Sequence, residues 1–274
     1  MTPSVDIVVV TFNARAELEA CLDSLREAPP SRPHTIVVVD NASSDGTPAW
    51  LRAQRPDVRL IANAANAGFA RATNQGIRAT RGDLVLLLNP DTLVPSGAVD
   101  RLAEALVATP GAAAAGPRLV DARGVPELSF GAMIGPWSEL RQKWLVALHH
   151  RGVPPVSAWV RRATSRPRFP DWVSGACLLV WRHDAEAAGL LDERFFLYTE
   201  DVDFCAALRA RRRRILFTPD AEVVHLRGRS RATAPAAAAS AYRRSQLAFY
   251  RKHHPRWALL LRAYLRLKGE PGLD

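Results

Sequence analysis

Residues 83–92 read Asp-Leu-Val-Leu-Leu-Leu-Asn-Pro-Asp-Thr, and the run from Asp83 to Leu88 decides the fold. A continuous apolar strand suits the centre of a sheet covered on both faces, which calls for parallel strands joined by helices. It delivers Asn89, Pro90 and Asp91 to its carboxyl end. Upstream, Val5 to Val10 and Thr35 to Val39 predict two more buried strands and Val58 to Ala62 a short one. Helices fill the gaps. One runs from about Ala14 to Arg26, with Leu18, Cys21, Leu22 and Leu25 on one face. A second opens at Thr47 as N-cap with Pro48 in the first helical position. A third spans about Phe69 to Ala79, and a fourth, downstream, Ser96 to Ala108 before the small-residue segment Gly111 to Val120. Three polar loops therefore follow carboxyl ends of predicted parallel strands, where open α/β sheets bind ligands.

The second half is less periodic. Residues 121–170 carry Pro136, Pro154, Pro155, Pro167 and Pro170, which reads as an insertion or flexible connection with a helix around Trp137 to His149. A strand is expected over Trp172 to Trp181, then helices near His183 to Ala188 and from Asp201 to Arg212. Two short strands, Ile215 to Thr218 and Glu222 to His225, precede basic helices over 240–254 and 256–267.

With 274 residues, 48% of them apolar and 23% charged, the chain is globular rather than collagen-like, disordered or disulfide-stapled. Its formal charge of +10 is lopsided: residues 1–150 hold 14 basic and 15 acidic side chains, the remainder 23 and 12. The second half thus expects an anionic partner. Cys21, Cys177 and Cys205 form no CxxC pair and read as small buried hydrophobes in a reducing compartment. The first apolar run is a strand, not a signal peptide, and Trp257 to Leu261 falls far short of the ~20 apolar residues that cross a bilayer.

No GxxxxGK[ST] or GxGxxG follows any strand, which excludes the familiar ATPase and dinucleotide-binding devices. The loops offer carboxylates and amides instead. Asp40 closes a buried strand, where it either receives a pyrimidine N–H or caps its own Asx turn. Gly68 allows a close backbone approach, to a ligand or to the next helix. Asp91 is an oxygen ligand for a hard cation or a helix N-cap near Pro95. Glu200, Asp201 and Asp203 crowd like charges, which is costly unless something uses them, although a helix N-terminus also favours them. Ser174, Gly175 and Ala176 have little bulk, for substrate approach or for tight packing.

Seven motifs in this order resemble those of the family 2 glycosyltransferases of GT-A fold, in the rhamnosyltransferase-like branch: VVVTFN (8–13), VVVDNASSDGT (37–47), NAGFARATNQG (66–76), LLLNPDT (86–92), WVSGACLLVWR (172–182), FFLYTEDVDFC (195–205) and HLRGRS (225–230). The resemblance implies an α/β fold with a mostly parallel central sheet flanked by helices. It divides the chain into a GT-A domain over 1–231, with a nucleotide-binding half (1–120) and an acceptor half (121–231), and a basic helical extension over 232–274. It implies a nucleotide-sugar donor held by Thr11, Asn13, Asp40, Asn66, Gly68, Asn74, Asn89 and Asp91. Asn89-Pro90-Asp91 stands in place of the family's Asp-x-Asp, so one carboxylate is replaced by a neutral oxygen; Asp91 and His225 are the implied ligands of a divalent cation, Mg²⁺ or Mn²⁺. Asp201 is the implied general base of an inverting transfer, with Ser174, Gly175, Glu200 and Asp203 on the acceptor side and Arg227, Arg229 and Arg231 near phosphate. The implied donor is dTDP-rhamnose, then a UDP-sugar, and the acceptor a glycan or polyprenyl-linked glycan of cell-envelope polysaccharide synthesis. The enzyme is then cytoplasmic and peripheral on the inner face of the membrane. Its basic C-terminal helices either meet an anionic membrane surface or pack back on the domain. Two other classes stay open: the same fold binding nucleotide without turnover, and a nucleic-acid binder using residues 206–274, against which stands the lack of interleaved aromatics, so no nucleic acid is expected.

Overall fold

The computed structural model describes residues 2–226 and 235–268. Among them one eight-stranded mixed sheet forms. Strands β1 (Val5–Thr11), β2 (His34–Asp40), β3 (Arg59–Ala62) and β4 (Leu84–Leu88) are parallel, in the order β3-β2-β1-β4. On the far side of β4 come β9 (Cys177–Trp181), antiparallel to it, then β6 (Ala112–Val120), β10 (Arg214–His225), parallel to β6, and the two-residue β5 (Thr92–Leu93). A small antiparallel pair, β7 (Phe130–Gly131) with β8 (Trp172–Val173), stands apart. The carboxyl ends of β1, β2, β4, β6 and β10 share one edge of the sheet.

Alternation along the strands feeds a core on each face. Ile7 and Val9 meet Leu18, Leu22 and Leu25 of α1 (Arg15–Glu27) and Leu102 and Leu106 of α4 (Ala98–Val107). Val8, Val85 and Leu87 face Ile77 of α3 (Phe69–Arg78), Val160 of α6 (Pro154–Ala163) and Phe204 and Leu208 of α8 (Glu200–Ala210). All five β4 residues are buried, as the apolar run requires. The three cysteines are buried and free.

Several local expectations are corrected. Thr47 is the first residue of α2 (Thr47–Gln54), not its cap: Gly46 takes that place in a left-handed conformation, and Thr47 is tied to Asp45 Oδ1 instead. Asp91 caps no helix, because α4 starts after Gly97. The expected strand over 172–181 is broken by Ser174–Ala176 into β8 and β9. The two short strands near 215 and 222 are one strand, β10, with a register shift between Thr218 and Glu222 that a linear pattern reads as a gap. Residues 121–170 are ordered by α5 (Pro136–His150) and α6, whose opening prolines occupy first-turn positions that need no N–H. Short α7 (Arg182–Ala187) follows β9 directly. The C-terminal helices are α9 (Pro235–His253) and α10 (Pro255–Leu267). Their buried residues Leu247, Phe249, Tyr250, Ala258 and Leu265 pack with Phe195 and Val202, so the inner faces return to the domain. No helix among the described residues is long and apolar enough to cross a membrane.

Candidate active site

Thr11 and Asp40 end neighbouring parallel strands and are register partners. Asp40 Oδ2 accepts the Ser43 N–H at 3.0 Å, but Asp40 Oδ1 and Thr11 Oγ1 are buried without a partner among the described residues. A buried acceptor left unmade costs about 1–3 kcal/mol, which a ligand hydrogen bond recovers. Asn13 braces this edge: its Oδ1 accepts the Ser44 N–H at 2.7 Å, and its own N–H donates to Ser43 Oγ at 2.9 Å. Asn41, which the motif reading passed over, joins the first loop to the next. Its Nδ2 donates to Asn66 Oδ1 (2.8 Å) and its Oδ1 accepts from the Ala67 N–H (2.9 Å) and Asn63 Nδ2 (3.1 Å).

Two donor-side residues serve the scaffold. Gly68 has φ +87, and a Cβ there would stand 2.8 Å from Phe196 Cδ2 and 2.9 Å from the Phe196 carbonyl oxygen; the close approach is to the loop before α8, not to open space. Gly68→Ala is therefore expected to destabilise the fold by about 1–3 kcal/mol, through the left-handed backbone and the clash together, seen as a lower melting temperature. Asn74 is buried and spends its amide on Leu191 and Glu193: Nδ2 donates to the Leu191 carbonyl (2.8 Å) and Glu193 Oε1 (3.1 Å), and Oδ1 accepts the Leu191 N–H (3.0 Å).

Asn89 and Asp91 follow β4. The Asn89 N–H donates to the Ala176 carbonyl (2.9 Å), which fastens this loop to the Ser174–Ala176 break. Asp91 is buried, with Oδ1 3.4 Å from His225 Nε2, while His225 Nδ1 lies 3.3 Å from Glu127 Oε2. Burial opposes a charge on His225, yet hydrogen bonds to Asp91 and Glu127 prevail and raise its pKa to about 9. The imidazole thus sits between two carboxylates, a place that favours positive charge. A carboxylate beside an imidazole whose other nitrogen meets a carboxylate is a donor set suited to a divalent ion. Among the described residues no group of three or more ligating side chains gathers. Asp91 and His225 are the two side chains here that would hold such an ion.

Asp201 lies in the first turn of α8. Its Oδ2 accepts the Gly175 N–H and its Oδ1 the Val202 N–H, both at 2.8 Å. A Cβ on Gly175 would come within 3.0 Å of Asp201 Cβ, so the small residue at the strand break makes room for this carboxylate. Ser174 donates its N–H to the Ser129 carbonyl at 2.8 Å, fixing the other side of the break. Because the next residue, Ala176, holds Asn89, a short bonded path links Asp201 to the Asp91 loop. Burial pushes the Asp201 carboxyl above the usual range, against the two N–H bonds. The backbone before it is strained: Tyr198 and Thr199 have φ +71 and +64. Asn13 and Ala42, at +50 and +69, lie in the other loops of this edge, so four of the six non-glycine residues of positive φ among those described surround the site.

Glu200 and Asp203 differ from Asp201 in use. Asp203 is buried and fully engaged, Oδ2 by Lys252 Nζ (2.8 Å) and Oδ1 by His253 Nε2 (2.7 Å) of α9. Glu200 Oε2 is buried without a partner among the described residues. Burial first, and then the neighbouring Asp201 charge, push its carboxyl well above the usual range. An acid whose pKa is raised in the folded state contributes stability at low pH that is lost as pH rises through the folded value. Glu200→Gln keeps the neutral form throughout. Its melting temperature is expected to exceed that of the wild type at mildly alkaline pH, with the gap closing near the unfolded value of about 4.3. Arg227, Arg229 and Arg231 lie outside the described residues.

A mostly parallel sheet with unpaired polar atoms, an Asp–His pair and the half-buried Asp201 carboxylate along one carboxyl edge defines a GT-A-type α/β protein. The chain belongs to glycosyl transferase family 2, whose family model matches residues 6–155. It is 33% identical, over 94% of its length and 87% of the relative's, to N-acetylglucosaminyl-diphospho-decaprenol L-rhamnosyltransferase of Mycobacterium tuberculosis. Among solved structures it is similar to the mannosyltransferase PcManGT of Pyrobaculum calidifontis in complex with GDP-Man and Mn²⁺ (TM-score 0.60, 21% identity, 99% of this chain and 76% of that one). It is also similar to GalNAc-T7 with UDP, GalNAc and Mn²⁺ (TM-score 0.61, 15% identity, 82% of this chain and 44% of that one). The fold expected from the motifs is the fold found, and the chain is a glycosyltransferase.

Proposed function

We propose that the enzyme transfers L-rhamnose, with inversion, from dTDP-rhamnose to an N-acetylglucosaminyl-diphospho-polyprenol in cell-envelope polysaccharide synthesis. The observation that carries the nucleotide half is the adjacent pair of buried unpartnered atoms, Asp40 Oδ1 and Thr11 Oγ1. A pyrimidine ring answers both, its N3–H donating to Asp40 and a ring carbonyl accepting from Thr11. The 33% identical decaprenol rhamnosyltransferase supports the sugar and the acceptor.

In the reaction Asp201 takes the proton of an acceptor hydroxyl while that oxygen attacks the anomeric carbon; the new glycosidic bond forms as the bond from that carbon to the diphosphate breaks. Asp91 and His225 would hold the divalent cation, which neutralises charge on the departing diphosphate when bound. Glu127 orients His225 for that task. Asn13, Asn41 and Asn66 keep the nucleotide loops in register, whereas Asn74, Gly68 and Asp203 serve the scaffold around them. The enzyme works on the cytoplasmic face, where nucleotide sugars are made.

The test is transfer from a panel of nucleotide sugars to N-acetylglucosaminyl-diphospho-polyprenol in the presence of Mn²⁺ or Mg²⁺. Turnover is expected with dTDP-rhamnose in preference to UDP-sugars. Nucleotide-dependent thermal stabilisation without product from any donor would mark a binding module and contradict the assignment.

A further inference from the structure

Helix α5 buries a carboxylate and exposes part of its apolar surface. Its carboxylate points inward: Glu139 Oε1 accepts from Lys143 Nζ (2.6 Å), Tyr242 Oη (3.0 Å) and Gln246 Nε2 (2.5 Å), and Oε2 from Tyr250 Oη (2.8 Å). Leu145 and Val146 pack on the core, but three large apolar side chains point outward: Trp137, Leu140 and Trp144, spaced i, i+3, i+7, are 76, 60 and 67% exposed. Leaving such groups in water forfeits about 1.5–3 kcal/mol each at full exposure relative to burial. Among the described residues nothing covers them. The polar partners of Glu139 on α9 hold the helix in this orientation, with the Trp137, Leu140 and Trp144 stripe facing away from the domain.

Helix α10 repeats the arrangement next door. Ala258 and Leu265 are buried, while Leu260, Tyr264 and Leu267, at i, i+4, i+7, face solvent with Leu259 beside them. The two helices adjoin: His254 Nε2 is 2.7 Å from the Ile134 carbonyl, and Met133 and Ile134 pack on the cluster that holds Ala258 and Leu265. The Tyr264 hydroxyl, bonded to Lys268, also feels the charge of Lys143 on α5. Helices α9 and α10 carry charge of one sign, although Lys252 is engaged by Asp192 and Asp203. Residues 235–268 contain eight Lys and Arg and no Asp or Glu.

We propose that the outward faces of α5 and α10 form one docking surface for an anionic lipid bilayer, with Trp137, Leu140 and Trp144 seated at the headgroup–acyl boundary. An apolar stripe alone would suit a protein partner equally. The acid-free basic frame selects the anionic surface, which attracts Lys and Arg by about 1 kcal/mol each near it. Tryptophan, apolar with one polar N–H, belongs at that boundary. The surface is also joined to the site: Glu139 ties α5 to α9, and Lys252 and His253 of α9 hold Asp203, two residues from Asp201. Docking therefore fixes the height of the site above the membrane. The proposal stands on this face alone and does not depend on which donor or acceptor the enzyme uses.

The test is flotation of the full chain with vesicles of phosphatidylcholine, alone or mixed with phosphatidylglycerol, for the wild type and for Trp137→Ser/Leu140→Ser/Trp144→Ser. The wild type is expected to float with the mixed vesicles, weakly with the neutral ones, and less as salt rises. The triple variant should bind about 10-fold or more weakly while melting close to the wild type, since the replaced groups are mostly exposed. Bromine-labelled acyl chains should quench the tryptophan emission of the wild type and much less that of the variant. The proposal is overturned if the wild type stays unbound to mixed vesicles at low salt, if the variant floats equally well, or if the substitutions only convert a dimer to a monomer. Transfer to a short-chain soluble acceptor is a separate readout, so failure here leaves the proposed reaction standing.

Discussion

Asp201→Asn is expected to lower turnover by about 10²–10⁴-fold, the usual worth of a positioned general base. Asparagine keeps the size but cannot take the acceptor proton. It also keeps only one of the two acceptors now used by the Gly175 and Val202 N–H groups, so a loss of stability of about 1–3 kcal/mol accompanies it. The two effects separate by measuring single-turnover transfer well below the variant's melting temperature, with donor affinity as a control that should stay near that of the wild type. The pH dependence carries the same signature. Because burial raises the Asp201 pKa, the rate should fall with decreasing pH through a value above the ordinary aspartate pKa of about 3.9. A variant that turns over normally, or an acid limb at the ordinary value, would remove Asp201 from the role of base.

Asp91→Ala is expected to cost about 10²–10³-fold in turnover, the scale of losing electrostatic support for a leaving group. The variant leaves His225 with Glu127 alone. Mn²⁺ binding in the presence of dTDP, followed by the electron paramagnetic resonance of the ion, should weaken in step with activity, whereas metal-free binding of thymidine to the Asp40 edge should not change. If Mn²⁺ affinity were intact while activity fell, Asp91 would act on the loop rather than on the cation.

The parallel half of the fold was legible because β1, β2 and β4 are buried on both faces and their sequences are simply apolar, with loops that interrupt the pattern cleanly. Asp40, Asp91 and Asp201 could be singled out as candidates because they stand at element boundaries, where chain direction and residue type coincide. What escaped depends on contacts across long sequence separations. Glu127 meets His225 98 positions away from a stretch that carries no periodic signal, and only the folded chain shows the pair. Asp203 resembles its neighbours in the Glu-Asp-Val-Asp run, yet the α9 cations claim it, and nothing in the run itself announces Lys252 and His253. At Gly68 the close approach is made by Phe196, a neighbour that no linear pattern names. Helix α6 was hidden by Pro154 and Pro155, which signal a break in the linear pattern and are in fact the first turn of a helix. The outward stripe of Trp137, Leu140 and Trp144 on α5 follows the same logic, since a helix pattern tells which residues share a face but not which way that face is turned.

The account rests on Asp40, Asp91 and Asp201 serving one nucleotide-diphosphate cleft on the carboxyl edge of the sheet. The direct measurement is a crystal structure of the enzyme soaked with dTDP and Mn²⁺. The predicted result is the thymine ring against Thr11 and Asp40, with the diphosphate and the ion between Asp91 and His225 and its terminal phosphate turned toward Asp201. A nucleotide bound elsewhere, or an ion held without Asp91 and His225, would contradict it.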